Sequence, residues 1–167
     1  CKLEPRFCHE IEIIDEIPLR RTSGGFDRLL STIVSQQLSV AAADAIWKKM
    51  KLARLNKIQK IKEASDQELR EDGLSKQKIR SLTNAKINYN SLKTMPTSEV
   101  ISELTKVSGI GNWTAEIYAM FSLGRANVFA PGDLALQEAT RLLFDLADRP
   151  SEKKLRILAN DWSPWQA

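Results

Sequence analysis

Between Phe26 and Val34 the apolar residues fall at positions 26, 29, 30, 33 and 34, the spacing of one buried helix face. Ser35-Gln36-Gln37-Leu38-Ser39 interrupts that pattern. Ser39 reads as the N-cap of a second helix carrying Ala43, Ile46, Trp47 and Met50. Ile58 to Ala64 predicts a short helix. Ser65-Asp-Gln-Glu68 is a capping-box pattern that opens another, ending at Gly73. Ser75 is placed to cap a helix through Ile79, Leu82, Ile87 and Leu92. Pro96-Thr97 breaks the chain before a short amphipathic helix from Val100 to Leu104. Gly109-Ile110-Gly111 then turns into a helix from Trp113 to Leu123. A connector from Gly124 to Gly132 leads to Asp133, which starts a helix running to about Leu146. Ser151 opens the last helix, before Trp162-Ser-Pro-Trp165. Upstream, Leu3 to Ile17 is mixed, ends at Pro18, and is followed by a polar loop from Arg20 to Gly25. Strand alternation is scarce, so the expected class is all-α.

Composition narrows the options. The 167 residues are 43% hydrophobic and 28% charged, ordinary values for a globular chain able to bury a core without disulfides or metal. They are expected to form a single domain, 1–167, of two interleaved helical lobes. No apolar run is long enough for a membrane span, and no signal peptide is visible between Cys1 and Leu19. Cys1 and Cys8 are too few for a disulfide framework or a four-cysteine cluster, and reduced thiols are expected. The single histidine, His9, beside Cys8, does not make a metal site. The net charge of +4 permits an anionic partner without demanding one.

Four constellations carry candidate chemistry. The glycine hairpin, about 104–115, can present helix-terminal N–H groups to one phosphate; the same three residues also suit a plain interhelical turn. Asp133, behind Pro131-Gly132, is placed to cap a helix; its carboxylate can also face a cleft. Gln36-Gln37 can contact bases or fill a gap in a duplex, or form a polar loop. Trp113, Trp162 and Trp165 serve either a core or the walls of a site for a flat ligand.

Taken together, these features resemble the helix-hairpin-helix DNA glycosylases. Ser-Gln-Gln-Leu-Ser, Gly73-Leu-Ser-Lys76, Trp-Thr-Ala after the hairpin and the terminal Trp-x-Pro-Trp are similar to the alkylated-base branch, the 3-methyladenine DNA glycosylase II group. The resemblance runs in unbroken motif order from Pro5 to Trp165. It implies two helical lobes with double-stranded DNA in the cleft between them. It implies catalysis by Asp133, a phosphate clamp of Gly109, Gly111 and Thr114 backbone, and phosphate contacts from lysines such as Lys76 and Lys78. Gln37 matches a wedge residue inserted into the base stack, and Trp113 and Trp165 match pocket walls. The main-chain carbonyls of Thr105, Val107 and Ile110 match those that hold a structural K+ or Na+. No iron–sulfur cluster is expected.

Trp113 stands where bifunctional relatives carry a lysine that forms a Schiff base with the sugar. The implied enzyme is therefore monofunctional. It flips alkylated purines (3-methyladenine, 7-methylguanine) out of duplex DNA and hydrolyses the N-glycosidic bond. Two alternatives stay open: a glycosylase for ethenoadenine, hypoxanthine or uracil, and a non-catalytic DNA-binding module. Within the resemblance Gln166 replaces an arginine, and no N-terminal β-rich domain precedes the helices. The expected form is a monomer without membrane contact, in the cytoplasm of a bacterium or archaeon or the nucleus of a eukaryote.

Overall fold

The computed structural model describes residues 2, 4–14, 16–36, 38–71, 79 and 83–167. Among them the regular elements are all helical. They are α1 (Phe7–Ile13), α2 (Phe26–Ser35), α3 (Val40–Leu52), α4 (Ile58–Glu63), α5 (Asp66–Glu71), α6 (Thr97–Thr105), α7 (Asn112–Ile117), α8 (Leu134–Leu143) and α9 (Glu152–Ala159). Short 3₁₀ turns cover Ser91–Lys93 and Asn160–Trp162.

Local chemistry sets most boundaries. Ser39 accepts the Ala42 N–H at 3.3 Å, and Ser151 accepts the Lys154 N–H at 3.3 Å. Ser65 and Glu68 form the reciprocal capping box: the Ser65 N–H donates to the Glu68 carboxylate at 2.7 Å, and the Glu68 N–H donates to the Ser65 hydroxyl at 3.2 Å.

Three expectations need correction. The helix through Ile79 does not reach Ile87 or Leu92. The Asn88 side chain accepts the N–H groups of Asn90 (3.1 Å) and Ser91 (3.3 Å), an Asx turn that competes with helix. The helix behind Asp133 stops at Leu143 rather than Leu146, with Asp145 at φ +49° just past it. The helix behind the hairpin changes pitch after Ile117. Tyr118–Ser122 form a π turn, in which the Leu123 N–H bonds to the Tyr118 carbonyl at 3.2 Å. The calls on Gly73, Ser75 and Leu82 lie outside the described residues.

Two buried clusters organise these elements. The larger joins Leu29, Leu30 and Ile33 of α2, Met50 of α3, Val100 and Leu104 of α6, and Ala115 of α7 with Tyr118. Ile110 projects into it from between the two glycines, 4% exposed, and so anchors the hairpin. The smaller cluster packs Leu155 and Ala159 of α9 with Trp162, against which Phe7, Phe129 and Phe144 stack. Phe7 thus brings the first helix onto the last. Glu4 reinforces that join: it pairs with Arg6 at 2.6 Å and accepts the Trp162 indole N–H at 3.4 Å.

Candidate active site

The hairpin uses its glycines differently. Gly109 sits at φ +90°, where a side chain is strained. Gly111 sits at φ −92°, ψ 176°, extended backbone open to any residue, and a Cβ there would meet nothing within 4 Å. Neither backbone conformation nor packing within the chain calls for glycine at 111. The first N–H closed by α7 is that of Ala115, on the Gly111 carbonyl at 3.1 Å. The preceding N–H groups of Asn112, Trp113 and Thr114 are those that helix geometry leaves over. The Thr114 side chain is buried, and its hydroxyl accepts from the Gln36 amide at 2.9 Å; the same amide nitrogen lies 3.2 Å from the Gly109 carbonyl. Gln36 therefore ties the α2–α3 connector to the hairpin. Gln37, Lys76 and Lys78 lie outside the described residues.

Twenty residues on, Asp133 caps α8. Its Oδ1 accepts the N–H groups of Ala135 at 2.9 Å and Leu136 at 3.3 Å. Its Oδ2 accepts the Trp113 indole N–H at 3.1 Å. A carboxylate offers about four lone-pair sites. Three are spent on fixing the side chain, and one on Oδ2 remains.

A second set of contacts closes around the same corner. Gly132 lies between Trp113 and Glu152: a Cβ there would stand 3.7 Å from the Trp113 Cβ and 3.5 Å from Glu152 Oε2. Glu152 pairs with Arg156 at 3.0 Å, and Arg156 pairs with Glu116 at 2.8 Å. Glu116 lies one turn beyond Trp113 on α7 and is 2% exposed, and its Oε2 has no hydrogen-bond partner among the described residues. Burial pushes its carboxyl above the ordinary carboxylate range, against the opposing pull of Arg156.

Asp133 also lines a cavity of about 650 Å³. Ile117, Met120 and Phe121 form one wall, residues 17–21 another, and Phe129 and Leu136 contribute too. Neither Trp113 nor Trp165 lines this cavity, and Trp165 is 69% exposed. Trp162, the third tryptophan singled out, belongs to the core. Sequence reading missed the cavity walls. One signal was present, since Trp113, Ile117, Met120 and Phe121 stand at i, i+4, i+7 and i+8 on one helical face.

No lysine approaches Asp133 in the printed contacts, and Lys106 is engaged with Glu103 on α6. The carbonyls of Thr105, Val107 and Ile110 lie in and just after the end of α6. That of Val107 accepts the Ile110 N–H at 3.0 Å and keeps a second lone pair. Such neutral donors suit a weakly held monovalent cation.

Comparison with known proteins places these features. Residues 30–164 match the family described as the HhH-GPD superfamily base excision DNA repair protein. The chain is 34% identical over 149 residues to the DNA-3-methyladenine glycosylase of Saccharomyces cerevisiae, covering 77% of this chain and 49% of that one. It spans 30% of the length of a matching Bacillus subtilis relative. The crystal structure of a Bacillus halodurans DNA-3-methyladenine glycosidase superposes with a TM-score of 0.82 at 33% identity, covering 99% of this chain and 81% of that chain. The Schizosaccharomyces pombe 3-methyladenine DNA glycosylase in complex with abasic DNA superposes with a TM-score of 0.86 at 22% identity, covering 98% and 87%, and shares the fold.

Proposed function

The chain belongs to the HhH-GPD superfamily of base excision DNA repair proteins, and on that premise we propose that it is a monofunctional glycosylase of alkylated purines in duplex DNA. The observation that carries this reading is the three-point fixation of Asp133, with one Oδ2 lone pair left over at the wall of the cavity.

The hairpin grips the DNA backbone. Its free N–H groups and the open space at Gly111 admit a phosphate oxygen close to the main chain. A carbonyl-bound monovalent cation at Thr105, Val107 and Ile110 would add positive charge beside that phosphate. Gln37 fills the stack vacated by the target nucleotide, and Lys76 and Lys78 add phosphate contacts. Unstacking costs a few kcal/mol, least for a damaged pair. The flipped base enters the cavity with its sugar toward Asp133.

Bond cleavage then releases the base with the glycosidic electron pair. Positive charge grows on the sugar, and Asp133 Oδ2 stabilises it at close range. Water adds to C1′ on the opposite side from the departing base and gives up a proton to Asp133 or to solvent. The products are the free base and an abasic site in an uncut strand. Strand cleavage by a Schiff base needs an amine. The residue at that position is Trp113, and its one polar atom already donates to Asp133.

The test is base release from duplexes carrying 3-methyladenine, 7-methylguanine, ethenoadenine, hypoxanthine or uracil, with the parent chain and Asp133→Asn. Asparagine is itself a good helix cap, so Asp133→Asn should fold and bind DNA normally while losing at least about a hundredfold in excision, as expected when a preorganised stabilising group is lost. Release at the parent rate refutes the assignment of Asp133. A borohydride-trapped adduct with lesion DNA refutes the monofunctional reading.

A further inference from the structure

The cavity beside Asp133 is closed on one side by residues 17–21, a stretch without regular structure. Its register is fixed at the next residue. The Thr22 N–H donates to the Phe121 carbonyl at 2.9 Å, and the Thr22 hydroxyl lies 3.3 Å from that of Ser122. Just beyond, the Gly25 N–H donates to the Tyr118 hydroxyl at 2.8 Å. All three anchors belong to the π turn, which also supplies Met120 and Phe121 to the cavity.

Arg21 therefore arrives at a defined place, and Gly124 receives it. A Cβ at Gly124 would lie 1.1 Å from Arg21 Nη1 and 2.2 Å from its Cζ. Gly124 also sits at φ +72°. Glycine meets both demands, and any side chain fails both. The guanidinium has five N–H donors and no acceptor. Among the described residues Arg21 makes no hydrogen bond or ion pair.

The charge around the space is lopsided. Asp133 is the sole carboxylate in the wall, whereas Arg20, Arg21 and Arg125 all line it. Arg125 is held by the carbonyls of Lys93 (2.8 Å) and Met95 (2.9 Å). Most of the remaining wall is apolar, including Ile17, Leu19, Ile117 and Met120.

We propose that Arg21, seated on Gly124, is a specificity-determining residue: the cavity takes an uncharged base that offers a lone-pair acceptor to the guanidinium, and disfavours a base carrying positive charge. The inference rests on the glycosylase reading above. An acceptor edge gains a charge-assisted hydrogen bond. A cationic purine meets a fixed like charge in a partly apolar enclosure, where repulsion is screened less than in water. A site with a donor waiting also discriminates against ligands that cannot use it.

The test is single-turnover excision, with each rate divided by the spontaneous release rate of the same base. Hypoxanthine and 1,N6-ethenoadenine represent uncharged bases; N3-methyladenine and N7-methylguanine represent cationic ones. In Arg21→Met the uncharged-to-cationic ratio should fall about tenfold, the scale of one lost specific contact, with Arg21→Lys intermediate. Gly124→Ala should reproduce the Met variant although its arginine is intact, because the guanidinium loses its seat. Equal effects of Arg21→Met on both classes, or an unchanged ratio, overturn the proposal. A parent chain that releases none of the four bases refutes the glycosylase reading itself, a separate outcome.

Discussion

Trp113→Phe separates two roles that one indole can play. If the ring stacks on the target base, phenylalanine preserves most of that contact. If the ring steers Asp133, phenylalanine removes the only atom that does so, because the 3.1 Å bond from Nε1 to Oδ2 has no counterpart in phenylalanine. Hydrogen bonds to charged groups contribute about 1.5–3 kcal/mol net. Converted at about 1.36 kcal/mol per factor of ten, the loss corresponds to about 10–150-fold in the chemical step. The backbone bonds to Oδ1 survive, so the carboxylate stays at the helix start but turns more freely. The assay is single-turnover base release with enzyme in excess over lesion duplex, beside DNA affinity by fluorescence anisotropy and the thermal midpoint. The expected result is a rate loss in the stated range, an affinity within about twofold, and a midpoint lowered by a few degrees, as about 1 kcal/mol gives in a domain of this size. A rate within about threefold of the parent, less than the bond's lower bound, refutes the steering role. A rate loss matched by an equal loss of affinity refutes it too.

Two further outcomes follow from the same geometry. Gly111→Ala should leave the thermal midpoint unchanged, since backbone and space accept a methyl group, yet weaken duplex binding about tenfold and flatten its salt dependence by blocking a phosphate. Gly109→Ala, at φ +90°, should instead lower stability by about 1 kcal/mol; equal midpoints for the two variants would refute this division of labour. Glu4 gives a pH signature. Its pKa is lowered to about 2, chiefly by hydrogen bonding to Arg6, so the folded state holds the charged form more strongly than the unfolded chain does. That stability is present above the ordinary carboxylate value of 4.5 and is lost as pH falls toward 2. Glu4→Gln should therefore melt lower than the parent at pH 7, with the gap closing between about pH 4.5 and 2 in thermal scans; a gap that stays constant with pH rules the mechanism out.

Features set by neighbours in sequence were legible in advance. The α2 face, the caps at Ser39, Ser65 and Ser151, the inward Ile110 and the cap at Asp133 each depend on a few adjacent residues. The misses depend on distant ones. Nothing near Tyr118 announces a π turn, whose surroundings include Thr22 and Gly25 from almost a hundred positions away. Gly124 reads as ordinary connector punctuation until Arg21 is found lying on it. Residues 17–21 have no periodicity to reveal which side faces a cavity. The overrun to Leu92 is a different kind of miss: the Asn88 turn is local, and the apolar spacing of Ile79, Leu82 and Ile87 outweighed a breaker that was in plain view.

Asp133 posed the sharpest choice in the sequence, between a helix cap and a reacting carboxylate. The geometry removes the need to choose, because the two oxygens divide the work. Oδ1 takes both backbone N–H groups and does all the capping. Oδ2 takes one side-chain donor from another helix and keeps a lone pair. Capping is what makes the second role possible. A carboxylate at a helix start cannot swing away without losing its cap, so Oδ2 is held in place before any substrate arrives, which is the condition for electrostatic stabilisation without reorganisation. Trp113 then sets the rotation that the cap leaves free. Through Gly132, Glu152, Arg156 and Glu116 the contacts return to α7 and close a ring around the residue. A purely structural cap would require only the first of these layers.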